Sequence, residues 1–440
     1  MARKSENKVI IDQVLFDENY SRYHESIRNL TRKYHVVNAS EYGNLVNFQQ
    51  NLSLERHKWY EYKQGYSRQL VANIINKANP DKSKAILDPF CGVGTSNLTA
   101  QSLGYRSIGI DINPIAILAA KTKTHFYTQE EINEIRKLIA AFQLKNEFVL
   151  QEMSKVVETS YRSEDLSVLM KIRYFWENID NGPVRDFFRL AFISILDICS
   201  TKVKDGNGLK NAPKKKQIKD IPGVYLNKCQ SMLDDIDKVN YDIKSSFIFG
   251  SAISSDLFAQ IKPESIGLCV YSPPYANCFD YCEVYKLELW LGGFVSHYDD
   301  FKNYRNMAMR SHVNSTFDHT ITHKIKNVEI IASTISAFNL WNKNIPDMLR
   351  GYFDDSSKLL YNVYKSLCKN SYCYIVVANS AYKGVMVPTD LLLCEIAESK
   401  GFSVENIYFA RKIRASSQQI DELNREFGTL MRESIIELKK

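Results

Sequence analysis

The sequence predicts an α/β fold: a doubly wound, largely parallel sheet carrying a large, mainly helical insertion. Three observations lead there. Short apolar runs alternate with helical apolar stripes toward both ends of the chain, a glycine-rich string falls where one such run turns into a helix, and the alternation lapses for roughly 120 residues in between.

At 440 residues the chain exceeds one compact core and suits two or three units of about 100–200 residues each. Hydrophobic residues make up 45% and charged residues 24%, which excludes disordered, collagen-like and coiled-coil compositions. No run approaches the roughly 18 unbroken apolar residues of a membrane span, and MARKSENKVIIDQ lacks an apolar signal core, so a soluble, cytoplasmic protein is expected. Nine cysteines are too few over this length for a disulfide framework. Cys278 and Cys282 have no second pair at zinc spacing, and His319 and His323 lack the glutamate of HExxH, so no metal is expected.

The elements follow in order. Residues 1–56 read as a polar, partly helical arm without a chemical motif. In WYEYKQGYSRQLVANIINKA, Ser67 is placed to cap a helix whose stripe is Leu70, Val71, Ile74 and Ile75. A strand at 84–88, the turn PFCGVGT, a helix near 96–103, a strand at 107–111 and a helix opened by Asn113-Pro114 make one βαβ unit. Helical periodicity then fills 125–244, with no convincing strand before 245–250. Within it, 201–220 carries seven lysines against two aspartates, which suits either a solvated linker or contact with a polyanion. A strand at 267–272 runs into Pro273-Pro274-Tyr275, and 296–345 reads as irregular. A helix at 347–368, a strand at 372–378, a helix at 389–400 and strands near 402–410 and 433–438 close the chain. The expected division is therefore an arm (1–56), a core (57–124 with 245–440) and a helical insertion (125–244).

Two strings carry chemistry. In ILDPFCGVGTS, Gly92 and Gly94 remove side chains where a ligand would approach backbone, and Asp111 ends the next strand where an acid can accept ribose hydroxyls. GVGTSN lacks the third glycine of a dinucleotide fingerprint, and an acid just before the turn suits a cationic ligand better than a pyrophosphate. In Ser272-Pro273-Pro274-Tyr275 two prolines end the strand ladder and fix an extended backbone. The Ser272 hydroxyl and the Pro273 carbonyl can then accept the two hydrogens of an exocyclic amine while Tyr275 stacks on its ring. Taken alone, either string also fits an ordinary strand-ending turn.

Together, DPFCGVGT with GIDINP resembles the first motifs of class I methyltransferases that use S-adenosylmethionine, which have a Rossmann-like sheet, and SPPY resembles the catalytic motif of DNA amino-methyltransferases. The likeness is greatest to cytosine-N4 enzymes, whose tetrapeptide begins with Ser, where adenine-N6 enzymes usually carry Asp or Asn. WYEYKQGYS, YSPPYANCFDYCEVYKLELWLGG, YKGVMVPTD and GFSVENI also look like this group, whereas the arm and the insertion match no named family.

The resemblance implies that Asp88, Pro89, Phe90, Gly92, Gly94 and Thr95 line the methionine end of the cofactor and that Asp111 holds its ribose with Ile112 against the adenine. Tyr62, Tyr66 and Ser67 would close that pocket, and Ser251 stands where many relatives carry an acid for the adenine amine. Ser272, Pro273, Pro274 and Tyr275 would be catalytic. The insertion would be the target-recognition domain, with Lys204, Lys214, Lys215, Lys216, Arg310 and Ser311 as candidate contacts to double-stranded DNA; a solvated surface charge is the plain alternative for each. The implied activity is methyl transfer to the N4 amine of cytosine in a flipped base, within a restriction-modification system. An adenine-N6 DNA enzyme and an RNA amino-methyltransferase are the alternatives. With no PD-(D/E)xK pattern, any restriction endonuclease would be a separate chain.

Overall fold

Ser67 caps the helix Arg68–Ala78 as its place before the apolar stripe predicts: its side chain accepts from Leu70 N, and Leu70, Val71, Ile74 and Ile75 are all buried. The same local logic places most elements of the computed structural model, which describes residues 2–62, 65–148, 153–206, 208–313, 320–413 and 427–440. His319 lies outside the described residues. The chain divides into two units, one of Asn47–Ala252 with Asp280–Ala308, the other of Met1–Val46, Ile253–Phe279 and Met309–Lys440.

The first unit is built on three parallel strands, Ala85–Asp88, Ser107–Asp111 and Ser245–Phe249, with Ser107–Asp111 in the middle. Its register sets Asp88 opposite Gly109 and Asp111 opposite Phe249. Two short crossover helices, Thr95–Ser102 and Pro114–Thr124, follow the first two strands; Asn113 caps the second by accepting from Ile115 N, with Pro114 in its first turn. This is the predicted βαβ unit, and it makes the fold an α/β one with the strand order of a Rossmann-like half.

The helices of the insertion do not form a unit of their own. Pro183–Cys199 buries Phe187, Phe188, Leu190, Ala191 and Phe192 and packs against Pro114–Thr124 and Ile221–Lys238. An apolar face this wide needs a partner, and the crossover helix supplies one, so the predicted boundary at residue 125 falls inside a shared core. The lysine-rich segment, expected to lack strands, holds an antiparallel hairpin of Lys202–Asp205 and Gly208–Asn211, with Gly206 turning at φ 54°.

In the second unit the strand order is Val36–Asn38, Ser403–Lys412, Arg432–Lys439, Leu367–Ala378, Ile266–Tyr271. Ile266–Tyr271 runs parallel to Leu367–Ala378, whereas Arg432–Lys439 is antiparallel to both of its neighbours. The long helix Ile345–Ser366 and the helix Thr389–Ser399 pack together. The N-terminal arm is not separate. Its helix, Ala2–Lys33, packs on the helix Lys326–Ser336, buries Tyr23, Ile27 and Leu30, and sends Tyr34 to the Glu398 carboxylate at 2.7 Å. The 296–345 stretch, expected to be irregular, contains the helices Tyr298–Met307 and Lys326–Ser336. Charged and polar residues dominate the first of these, so its apolar stripe is too thin to read from sequence.

One glycine is fixed by packing alone. A Cβ at Gly109 would lie 2.8 Å from Phe247 Cδ1 and 2.9 Å from Cys91 Cβ and Sγ. Gly109→Ala should therefore destabilise the protein by about 1–3 kcal/mol, read as a lower denaturant midpoint at unchanged slope. An unaltered midpoint would show that the strand gives way without cost.

Candidate active site

A candidate methyl-donor site lies in the first unit, at the carboxyl ends of its parallel strands. Asp88 is 2% exposed and accepts from three donors: Ser96 Oγ at 2.6 Å, Tyr66 OH at 2.9 Å and Phe90 N at 3.1 Å. Asp111 accepts from Gly92 N at 2.8 Å on one oxygen and from Asn113 N at 2.8 Å on the other. Burial pushes both carboxyls up to about 6, against the pull of those hydrogen bonds. Among the described residues neither forms an ion pair.

The turn between them is shaped by its glycines. Gly92 (φ 49°) and Gly94 (φ 79°) are both left-handed, and a Cβ on Gly94 would sit 2.9 Å from Ala120 Cβ. Phe90, Gly92, Thr95, Asp111, Ile112 and Ser251 are half-buried around this edge, while Pro89 is buried. Gly250 N donates to Asp111 O at 3.0 Å, which brings Ser251 to the end of the neighbouring strand. Ser67 is fully buried as a helix cap, so it supports the site through Tyr66 and the helix start rather than by facing a ligand.

Tyr62 closes the turn. A Cβ built on Gly92 would meet its ring at 3.5 Å. The ring stacks on Tyr285 with centroids 4.9 Å apart and planes 7° apart, and lies 6.2 Å and 15° from Tyr281. Sequence reading missed both partners, which follow it by more than two hundred residues. Their segment is fixed locally: Asp280 caps Tyr281–Val284 by accepting from Cys282 N and Glu283 N, and Arg305 pairs with Asp280 and Glu283.

These groups fit S-adenosylmethionine. One buried and one half-buried carboxylate, without a cationic partner among the described residues, suit a ligand that brings its own positive charge.

A candidate methyl-acceptor site lies in the second unit. The Ile266–Tyr271 strand is buried throughout and ends at Ser272, and with Pro273 and Pro274 the ladder stops. Among the described residues neither the Ser272 hydroxyl nor the Pro273 carbonyl makes a hydrogen bond, so both acceptors stay available. The residues after them are held tightly. Tyr275 OH donates to Glu433 Oε1 at 2.6 Å, and Arg411 Nε donates to the other oxygen of that carboxylate at 2.6 Å. Tyr382 OH donates to Ala276 O at 2.7 Å, and Cys278, at φ 64°, donates its N–H to Ser311 O at 3.1 Å. Glu433 and Arg411 had no signal in the sequence, since they come from strands more than 130 residues away.

Several candidate DNA contacts are occupied elsewhere. Lys204 is 5% exposed in its side chain and pairs with Glu288, which is 1% exposed. Lys215 donates to Asp197 O at 2.5 Å and Lys202 O at 2.7 Å, closing the end of the helix before it. Arg310 is tied to Asp354 and Asp355, and Ser311 is buried. A cation already partnered inside the fold has little left for a phosphate, so Lys204, Lys215 and Arg310 are structural groups first, and the buried Ser311 is withdrawn from the surface. Lys214 and Lys216 remain exposed.

The class these features define is that of an S-adenosylmethionine-dependent methyltransferase. A family model described as a DNA methylase matches residues 2–122, which takes in the arm that the motifs alone left without kin. The chain is 27% identical over 455 residues to the type II methyltransferase M.BsoBI of Geobacillus stearothermophilus, covering 89% of this chain and 87% of that one. It is 25% identical over 446 residues to M.AvaI of a Nostoc species, covering 92% and 91%, and 24% identical over 397 residues to M.MvaI of Kocuria varians, covering 81% and 84%. Motifs and likenesses agree: the chain is similar over most of its length to type II methyltransferases, and its N-terminal part to DNA methylases.

The raised carboxyls give a pH dependence with a definite sign. Carboxyls held near 6 in the free protein, above the usual 3.8, contribute stability that is fully present below about pH 4 and is lost as pH rises through 6. A cationic ligand prefers the ionised form, so binding of S-adenosylmethionine should tighten about tenfold per coupled carboxyl between pH 5 and 7. Calorimetric titration at several pH values reads this directly, and an affinity flat across the range would contradict it.

Proposed function

We propose that the chain methylates the exocyclic N4 amine of cytosine in double-stranded DNA, as the modification enzyme of a type II restriction-modification system. The observation that carries this reading is the pair of open acceptors at Ser272 and Pro273 beside a tyrosine anchored by Glu433. Bound S-adenosylmethionine supplies an electrophilic methyl group on a sulfonium.

The chain's own residues do the rest. A cytosine amine is conjugated with its ring and is a poor nucleophile. Accepting its two hydrogens at Ser272 Oγ and Pro273 O favours a more tetrahedral nitrogen with its lone pair available, and the rigid proline pair fixes where those acceptors point. Tyr275 offers its ring face to the base, while the bond to Glu433 keeps that ring from turning. Extrusion of the base costs a few kcal/mol of stacking, partly recovered on Tyr275. The reading of Ser272 as a cytosine-N4 marker rests on resemblance. An Asp or Asn there would offer an adenine amine a stronger or differently placed acceptor, and that is why adenine-N6 transfer is the second reading. Lys214 and Lys216, exposed in the basic segment, are the remaining candidates for phosphate contact. The names of the type II relatives support both the DNA substrate and the modification role.

Base analysis of duplex DNA treated with the protein and labelled S-adenosylmethionine should yield N4-methylcytosine; N6-methyladenine as the product would replace this reading by the second. Ser272→Ala should reduce turnover by at least about a hundredfold, the scale of losing one polarising contact, while leaving S-adenosylmethionine affinity within about twofold. Near-normal turnover in that variant would remove Ser272 from the chemistry.

A further inference from the structure

Lys204 is one of the basic-segment lysines that the sequence offers to DNA, yet its side chain is only 5% exposed. Its ammonium pairs with Glu288 and lies 4.3 Å from the centroid of the Tyr285 ring. Tyr285 stacks face to face on Tyr62 at 4.9 Å, and Tyr62 lies over Gly92, whose N–H binds Asp111. The arrangement is a continuous column of cation, ring, ring and glycine turn, all within one unit of the chain. Lys204 stands in the strand Lys202–Asp205 of the hairpin, opposite Leu209, so a strand pair inside the insertion supplies the cation that meets Tyr285.

We infer that Lys204 is a positioning residue of the donor site: through Tyr285 it holds Tyr62 over the glycine turn, in place of a contact to the DNA backbone. The inference rests on the reading of that turn as the S-adenosylmethionine site. A buried cation on a ring face is attracted by the ring's quadrupole, and the attraction is strongest where water is excluded. Glu288 holds the same ammonium by an ion pair, and burial pushes the Glu288 carboxyl up. The pair therefore has two functions in the column: Glu288 compensates the charge, and Lys204 sets the tilt and depth of Tyr285. Parallel rings only 7° apart leave Tyr62 no independent orientation, so a displaced Tyr285 displaces Tyr62 with it.

The test uses the full chain. Removing Lys204 alone would strand the Glu288 charge in the interior, so the informative variant is Lys204→Met combined with Glu288→Gln, which neutralises both. It should unfold cooperatively. It should bind S-adenosylhomocysteine about tenfold more weakly, lose the near-ultraviolet circular dichroism of the tyrosine stack in the ligand-free protein, and bind duplex DNA as tightly as wild type. Lys204→Arg, which keeps the cation, should recover most of the affinity and the dichroism. Unchanged S-adenosylhomocysteine affinity and dichroism in the double variant would overturn the inference. So would weakened DNA binding with cofactor affinity intact, which would return Lys204 to the phosphate backbone. Failure of the wild-type protein itself to bind S-adenosylhomocysteine would overturn the donor-site reading instead, and is read separately from either variant.

Discussion

The Asp111 carboxylate is the constraint around which the donor half is organised. One oxygen takes the N–H of Gly92 from the turn after the first strand; the other takes the N–H of Asn113 at the mouth of the next helix. Its own carbonyl receives Gly250 N from the end of the third strand. Two neighbouring turns and the end of a distant strand thus meet at a single residue, and the meeting requires glycine at 92 because the turn there is left-handed. The carboxylate satisfies these backbone donors while remaining half-buried, without a cation among the described residues. That is an unfavourable place for a charge and a favourable place for a ligand that carries the opposite one.

Burial also sorts the lysines of the basic segment. On the chain they are neighbours of like charge, and counterion release would treat them alike. Folding separates them by partner. Lys204 goes beneath Tyr285 with Glu288, and Lys215 to the open carbonyls at the end of Pro183–Cys199; Lys214 and Lys216 stay in water. A lysine that has lost its hydration must recover the cost from a carboxylate, a ring or a set of carbonyls, and having done so it is no longer a steering charge.

In the acceptor half, rigidity is imposed from both sides of the tetrapeptide. The preceding strand is buried along its whole length, and the following turn is held by Tyr382 and Ser311. Tyr275 differs from the prolines in needing an external anchor, because its ring can turn about two torsions. The Glu433 carboxylate supplies it and is itself oriented by Arg411, so a bidentate acceptor fixes two donors at once. The acceptors at Ser272 and Pro273 are thereby left as the unsatisfied part of an otherwise saturated segment.

Much of this was legible in the sequence. Strands such as 84–88 and 107–111, the caps at Ser67 and Asn113, and the two motifs follow from residue type and spacing over a few positions, which is the range over which propensity, capping and proline chemistry act. Asp88, Asp111, Gly92 and Gly94 were readable because a turn of that shape tolerates nothing else. The unit boundaries, the role of Lys204, the Tyr62 stack on Tyr285 and the Glu433 anchor were not. Each depends on which distant side chain a buried group finds as partner, and that choice is made by packing among elements far apart in sequence, where local sequence carries no period to reveal it.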